Sequence, residues 1–190
     1  EFEKSLPKSD EFFFLLTDHQ ILFLLLPELI TTLGHRHSED KYHDGETVFV
    51  HIWDVMNNAT TPVHLWSALC HDLGKPLTSD GNGHFPGHEE AGIPLAKRIC
   101  ERFKLSNDMT NLVLDITEFH GRIHTSEGMG SKGIRKLIDS MRTKKIEEVI
   151  EFCKHIDTQT PGQIHPGDEI LKNLGQKPIR ATPIVTGNDL

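Results

Sequence analysis

Helical spacing of the apolar residues is the feature that most limits how this chain can fold. Apolar side chains recur at steps of three and four residues over most of the sequence, and convincing strands with period two are absent. One clear run, starting near residue 46, consists of Val48, Phe49, Ile52, Val55 and Met56. The pattern predicts an all-α domain, in which this amphipathic helix carries His51.

Turn and capping residues divide the chain into separate helices. Pro62 suits the first position of a helix, and Gly74 suits its end. His71 and Asp72 therefore fall in the last turn of that helix. Loops are expected at 34–45 and 74–87, and further helices over 11–16, 21–26, 88–103, 106–120, 131–140, 143–157 and 167–174.

The charge balance limits the kind of partner that the chain can have. With 28 acidic and 20 basic residues the formal net charge is −8, which argues against a surface that gathers nucleic acid mainly by charge. Binding of an RNA end stays compatible with this balance. A local positive run is expected to be a solvated helical face, with an RNA backbone contact as the alternative; it comprises Lys132, Arg135, Lys136, Arg142, Lys144 and Lys145.

Histidine and cysteine usage indicates the kind of ligand chemistry. Thirteen histidines occur together with 28 carboxylates, which is a composition rich in metal ligands. The three cysteines form no CxxC spacing, so neither a disulfide framework nor a thiolate zinc site is expected. A reducing cytoplasm fits this usage.

The most apolar segment, at 11–30, is not expected to enter a membrane. Asp18 and His19 interrupt it, and Pro27 ends its second apolar run. It therefore resembles neither a signal peptide nor a membrane span, and no membrane partner is expected.

His71 and Asp72 are adjacent, and they raise the possibility of a metal site. One nitrogen and one oxygen are too few ligands for a divalent cation, so other parts of the chain must supply more. His51 and Asp157, each beside apolar residues of another helix, are the candidates. The ordinary alternatives are a polar helix end for the pair, a core histidine at position 51 and a solvent-facing helix end at position 157.

The ordered set resembles a known signature. His51, then His71 and Asp72, then Asp157 is similar to the H…HD…D pattern of the HD superfamily of metal-dependent phosphohydrolases. The segments "YHDGETVFVH", "ALCHDLGKP", "GHEEAG" and "LVLDITEFHGRIHT" are similar to the HD domain of bacterial CCA-adding tRNA nucleotidyltransferases. Upstream "FFFLLTDHQILFLLLPEL" and terminal "PIVTGNDL" also resemble segments of that family.

The resemblance implies a helical bundle with a metal site between its central helices. It assigns the metal ligands to His51, His71, Asp72 and Asp157. The ion is expected to be nickel, magnesium or manganese, and its bound water or hydroxide is the expected nucleophile. The residues expected to take part in catalysis are His71, Asp72, His88, His120 and Lys75.

Further residues are predicted to bind a second metal ion or the phosphate. His88 and His120 occupy positions where related enzymes have additional histidines, although a capping role is the alternative for each. Lys75 and Arg122 are the nearest candidates for contact with phosphate oxygens. His124 can face the same way as His120 only if the helix continues through the glycine between them.

The implied activity is hydrolysis of nucleotide or RNA 3'-end phosphoesters. The family's reactions are those of a 2',3'-cyclic nucleotide phosphodiesterase, a 2'-nucleotidase and a phosphatase. The alternatives are a non-catalytic tRNA-binding or structural body, and a regulatory domain that binds a nucleotide. A nucleotide-transferring head has no counterpart in these 190 residues, so the chain alone is not expected to add nucleotides. A helical lead-in is expected over 1–34, the HD domain over 35–174 and an extension over 175–190, within one structural unit.

Overall fold

The structure, a computed structural model, describes residues 4, 9–36, 46–154 and 165–176. Within these ranges the chain forms helices and no strand, apart from an isolated antiparallel bridge between Arg36 and Thr47. The predicted all-α class is confirmed. None of the helices in the described part of the chain is long and apolar enough to cross a membrane.

Ten α-helices and one 3-10 helix make up the described ranges. The first three elements are α1 Ser9–Asp18, α2 Leu22–Leu25 and the 3-10 helix Pro27–Thr32. The middle of the chain contains α3 Val48–Asn57, α4 Pro62–Cys70, α5 Lys75–Thr78 and α6 His88–Arg102. The remaining helices are α7 Asn107–His124, α8 Ser131–Ser140, α9 Ile146–Phe152 and α10 Pro166–Gln176.

Helix α7 lies at the centre of the molecule, where it packs against α4, α6 and α9. Its residues 112–117 are all buried, which explains why this segment is apolar almost all round. Helix α3 packs on α4, and α1 packs on α3. The helices that carry the histidines are therefore in direct contact with one another.

Helix starts agree with the capping residues in the sequence. The hydroxyl of Thr61 accepts a hydrogen bond from the His64 amide, and Pro62 occupies the first turn of α4. Ser106 caps α7 in the same way through the amide of Met109. Such caps satisfy amides that have no partner inside the helix.

Several helix boundaries differ from the sequence-based prediction, and three of these differences lie on helices that surround the central helix or on that helix itself. Helix α4 ends at Cys70, before the expected stop at Gly74, and the short helix α5 occupies part of the predicted loop. Helix α7 continues through Gly121 to His124 instead of ending at residue 120. Helix α9 starts at Ile146, later than expected, because the preceding turn is held by hydrogen bonds to a buried carboxylate of α7.

The start of α5 crosses the first turn of α6 at very short range. A Cβ atom at Gly74 would lie 1.9 Å from the His88 carbonyl oxygen and 2.6 Å from the Gly92 amide nitrogen. Both neighbours are backbone atoms, so side-chain rotation cannot relieve the overlap. Gly74 therefore permits the approach that brings the end of α4 beside the start of α6.

The 3-10 helix is attached to α6 by a bidentate ion pair. The two terminal nitrogens of Arg102 donate to the two carboxylate oxygens of Glu28, at 2.8 and 2.6 Å. One of them also donates to the Leu25 carbonyl at 3.0 Å. The lead-in segment is thus linked to the helical body. The predicted domain bounds at residues 34 and 174 stay a prediction.

Replacing Gly74 by alanine should destabilise the protein. We expect Gly74→Ala to lower the free energy of unfolding by roughly 3 kcal/mol, since the added methyl group meets fixed backbone. Gly34→Ala is the matched control, because no atom lies within 4 Å of a Cβ atom there. Urea denaturation of both variants measures the difference, and equal midpoints would contradict the close crossing.

Removing the charge of Glu28 should also destabilise the protein, in a pH-dependent way. We expect Glu28→Gln to cost about 2 kcal/mol near neutral pH, because a hydrogen-bonded ion pair is lost. Burial acts to raise the pKa of Glu28, but the hydrogen bonds from Arg102 and the charges of Arg102 and Arg98 outweigh it and lower that pKa.

The lowered pKa determines the sign of the pH dependence. A carboxyl group with a lowered folded-state pKa stabilises the fold above its unfolded value of 4.5, and this contribution disappears as the pH falls through the folded value. Urea titrations of wild type and Glu28→Gln should therefore converge in strong acid. Glu101→Gln removes an exposed partner of Lys97 and should have little effect at any pH.

Candidate metal centre

Three helices and the turn after α4 bring one carboxylate and four imidazoles together. Asp72 follows α4 directly and is almost completely buried. We call these five residues the Asp72 cluster: His51 of α3, His71 and Asp72 after α4, His88 at the start of α6 and His120 of α7. The sequence predicted all five, but only packing of the helices makes them neighbours.

One carboxylate oxygen of Asp72 faces the first pair of imidazoles. Asp72 Oδ2 lies 3.4 Å from His51 Nε2 and 3.3 Å from His71 Nε2. The two imidazole nitrogens are 3.2 Å apart. Two nitrogens and one oxygen therefore lie close enough together to bind a single cation.

The other carboxylate oxygen faces the second pair. Asp72 Oδ1 lies 3.4 Å from His88 Nε2 and 3.5 Å from His120 Nε2. These two nitrogens are 3.4 Å apart. Asp72 thus belongs to two groups of possible metal ligands, one on each of its oxygens.

Backbone carbonyls hold three of these rings in one tautomer. Nδ1 of His71 is 2.8 Å from the Ala68 carbonyl oxygen. Nδ1 of His88 lies 2.9 Å from the Phe85 carbonyl oxygen, and Nδ1 of His120 lies 3.1 Å from the Thr117 carbonyl oxygen. A carbonyl only accepts, so Nδ1 carries the hydrogen and Nε2 of the neutral ring presents a lone pair.

This arrangement fits a cation. In the neutral state the lone pairs of His88 Nε2 and His120 Nε2 face each other across 3.4 Å, and a cation between them would turn that repulsion into coordination. Burial lowers the pKa of His88, against the opposing attraction of Asp72, which favours the neutral, ligand form of its ring. A donor set of imidazole nitrogens and one shared carboxylate would suit divalent metals.

Lys75 lies at the edge of the cluster. Its Nζ is 2.8 Å from Asp72 Oδ2, and only 11% of its side chain is exposed. The ammonium also lies 5.6 Å from the centre of the Phe85 ring. A mostly buried positive charge thus stands beside the carboxylate, where it would attract an anion bound to the cluster.

Glu89 was not among the predicted site residues, although it follows His88 in "GHEEAG". Its Oε2 is 3.3 Å from His88 Nδ1. The same carboxylate lies against α7, where a Cβ atom at Gly121 would be 2.2 Å from Oε1. Glu89 therefore orients His88, and the absence of a side chain at Gly121 leaves room for it.

Asp115 was also missed, and its role is structural. It is completely buried and lies in the family-like segment of α7. Its oxygens accept hydrogen bonds from the Arg142 amide at 2.9 Å, and from the Thr143 amide and hydroxyl at 2.8 and 2.6 Å. These bonds fix the turn that precedes α9.

The remaining predicted site residues lie in different places. His124 is one turn beyond His120, with ring centres 6.3 Å apart, because α7 continues through Gly121. Arg122, two residues from His120, lies about 200 degrees around the helix from it. The Arg122 side chain is exposed, with its guanidinium 5.6 Å from the Phe119 ring centre. Asp157 lies outside the described residues, so its role as a ligand stays a prediction.

Comparison with known proteins agrees with this geometry. The chain is similar to the "Multifunctional CCA protein" of Pasteurella multocida (32% identical, covering 74% of this chain and 36% of the relative). Proteins of the same name match from Cupriavidus metallidurans (33%, covering 77% and 37%) and Ralstonia nicotianae (34%, covering 67% and 30%). The chain thus spans about a third of the length of these relatives. No solved structure matches.

A family model settles the classification. The model described as "HD domain" matches residues 48–158, which include every member of the Asp72 cluster. The predicted relationship to CCA proteins is likewise confirmed. The chain belongs to the HD domain family.

Proposed function

We propose that this chain is a metal-dependent phosphohydrolase that acts on nucleotide or RNA-end phosphoesters. The observation that carries the proposal is the position of Asp72, whose two oxygens face two different pairs of imidazole nitrogens. Membership of the HD domain family and similarity to CCA proteins support it. The substrates that we favour are 2',3'-cyclic nucleotides, 2'-nucleotides and terminal phosphates.

Each group of the cluster is proposed to hold one divalent ion. The first ion would be held by His51, His71 and Asp72, with Asp157 as the fourth protein ligand. The second would be held by Asp72, His88 and His120. Because the two groups together contain four imidazoles and only two carboxylates, we favour nickel over magnesium or manganese. When bound, a divalent ion would lower the pKa of a water molecule and neutralise charge on phosphoryl oxygens.

The side chains of this chain would position the phosphoester. Lys75, beside Asp72 and mostly buried, is proposed to contact a non-bridging phosphate oxygen as a point charge. Nε2 of both His88 and His120 faces Asp72, which favours ligand roles for them over proton transfer to the leaving oxygen. The buried floor of α4 and α7 limits access of bulk water to the cluster.

Metal binding tests the proposed sharing of Asp72. We expect wild type to bind two equivalents of Ni²⁺ or Mn²⁺ in calorimetry. Asp72→Ala should lose both, since both groups need its carboxylate, whereas His51→Ala and His120→Ala should each lose one. His84→Ala is the control, since that histidine is 77% exposed and pairs with Asp80. Unchanged binding by Asp72→Ala would contradict the shared ligand.

Hydrolysis tests the activity. We expect wild type to hydrolyse a 2',3'-cyclic nucleotide only with a divalent ion present, and chelation should abolish turnover. His71→Ala should lower turnover about 1,000-fold, because loss of an ion removes several kcal/mol of transition-state stabilisation. His84→Ala should keep wild-type turnover. Salt-sensitive tRNA binding without metal-dependent turnover would favour the non-catalytic alternative instead.

A further inference from the structure

Positive charge is concentrated in one short stretch of this acidic chain. Residues 131–145 contain six of the 20 basic residues and only one of the 28 acidic residues. The stretch therefore carries a formal charge of +5 within a chain of −8, and it covers α8 and the turn before α9. Such an uneven distribution indicates a local attraction for anions that the net charge of the whole chain conceals.

Helix α8 presents its basic residues on one exposed side. Lys132, Arg135 and Lys136 are spaced three and four residues apart, so they lie on the same side of the helix, and all three are exposed. The opposite side packs against the protein, because Ile134 and Leu137 are buried. Packing of the apolar side thus directs the basic side toward solvent.

The turn after α8 adds a lysine to this basic side. The ammonium of Lys144 donates to the Asp139 carbonyl oxygen, which places its charge beside the end of α8. The backbone of Lys144 has a φ of 60°, in the left-handed region that few residues other than glycine adopt. Buried Asp115 holds this turn, since it accepts hydrogen bonds from the amides of Arg142 and Thr143. An unusual conformation that the surrounding structure enforces is frequent at functional sites.

Little of this positive charge is neutralised by neighbouring carboxylates. In the part of the chain that the structure describes, Lys132, Arg135 and Lys136 form no ion pair. Arg142 differs from them, because its guanidinium lies 2.6 Å from a carboxylate oxygen of Glu118. We define the α8 surface as four exposed basic side chains: Lys132, Arg135, Lys136 and Lys144.

The turn that completes the α8 surface lies on the opposite side of α7 from the Asp72 cluster. Arg142 attaches this turn to Glu118, which precedes His120 by two residues. Two residues correspond to about 200 degrees around a helix and roughly 3 Å along it. The Glu118 and His120 side chains therefore leave α7 in nearly opposite directions. A helix with its side chains is about 10–12 Å thick, so only a ligand larger than one nucleotide contacts both places.

The chemistry of the α8 surface suits an RNA backbone better than a lipid surface. A helix that lies on a membrane inserts its apolar side among the acyl chains. The apolar side of α8 is already covered by the protein, since Ile134, Leu137 and Ile138 are buried. Its exposed side offers ammonium and guanidinium groups, which bind phosphate oxygens.

We propose that the α8 surface binds the phosphate backbone of an RNA whose end is held at the Asp72 cluster. The inference rests on the proposed function, and it specifies RNA instead of free nucleotides as the substrate class of that site. Lysine and arginine contact phosphates without regard to base sequence, and the release of counterions makes such binding sensitive to salt. The acidic remainder of the chain repels RNA, which confines binding to this surface.

RNA binding by charge variants tests the surface. The probe is an RNA hairpin with an unpaired 3' end, followed by fluorescence anisotropy over a range of KCl concentrations. We expect Lys132→Gln/Lys136→Gln to weaken binding about 10-fold at low salt, and to lower the slope of log K against log salt by about 2. Lys97→Gln/Lys104→Gln is the matched control, because it removes two exposed lysines elsewhere and gives the same net charge. Equal losses in the two double variants would overturn the proposal.

Two further variants change the charge of α8 in other ways. Lys132→Arg/Lys136→Arg keeps both charges and should keep wild-type affinity for the hairpin. Asp139→Asn removes the one acid of the stretch, which is exposed beside these basic residues, and should tighten binding several-fold. Circular dichroism checks that each variant is folded. Weak binding by the arginine variant, or no tightening by Asp139→Asn, would contradict the proposal.

Hydrolysis of two substrates connects the α8 surface with the Asp72 cluster. We expect Lys132→Gln/Lys136→Gln to raise KM about 10-fold for a hairpin that ends in a 2',3'-cyclic phosphate, because binding remote from the reacting bond is lost. The same variant should keep wild-type kcat and KM for a 2',3'-cyclic mononucleotide. An equal change of KM for both substrates, or no change for the hairpin, would overturn the proposal.

The outcomes separate this inference from the proposed function. Charge-dependent binding of the hairpin without turnover of either substrate would support the α8 surface and count against the proposed function alone. Turnover of the mononucleotide without binding of the hairpin would overturn this inference alone. Vesicles of equal parts phosphatidylcholine and phosphatidylserine test the lipid alternative, and wild type that binds them but not the hairpin would likewise overturn the inference.

Discussion

The buried carboxylate of Asp72 is the group around which the other functional side chains are arranged. A charged oxygen in a protein interior is costly unless other groups compensate for it, and here each oxygen has its own set of neighbours. Lys75 supplies a positive charge at 2.8 Å, and four imidazole nitrogens lie within 3.5 Å. The imidazoles that compensate the charge of Asp72 come from α3, α6 and α7 and from the end of α4. These four helices therefore meet at Asp72.

Close backbone packing makes that arrangement possible. The start of α5 can cross α6 only because Gly74 has no side chain, and Glu89 can lie on α7 only because Gly121 has none. Both contacts bring a polar group of α6 next to the cluster. The glycines near the site therefore act through the distances that they allow between helices, and not through chemistry of their own.

Two further buried carboxylates stabilise the frame at a distance from the cluster. Glu28 links the 3-10 helix to α6 through Arg102, and Asp115 links α7 to the turn before α9. Each accepts several short hydrogen bonds, so the cost of burying its charge is offset locally. The turn held by Asp115 fixes the start of α9, which packs against α7.

The sequence by itself determined the helical class, several caps and the family, since periodicity, capping and motif order can be read along the chain. It also predicted a site that includes four histidines, Asp72 and Asp157. It did not determine that Asp72 is shared between two groups of ligands. Nor did it show that α7 continues through Gly121, or that His124 meets His165. Only the tertiary structure decided these points, because they depend on distances between helices that are far apart along the chain.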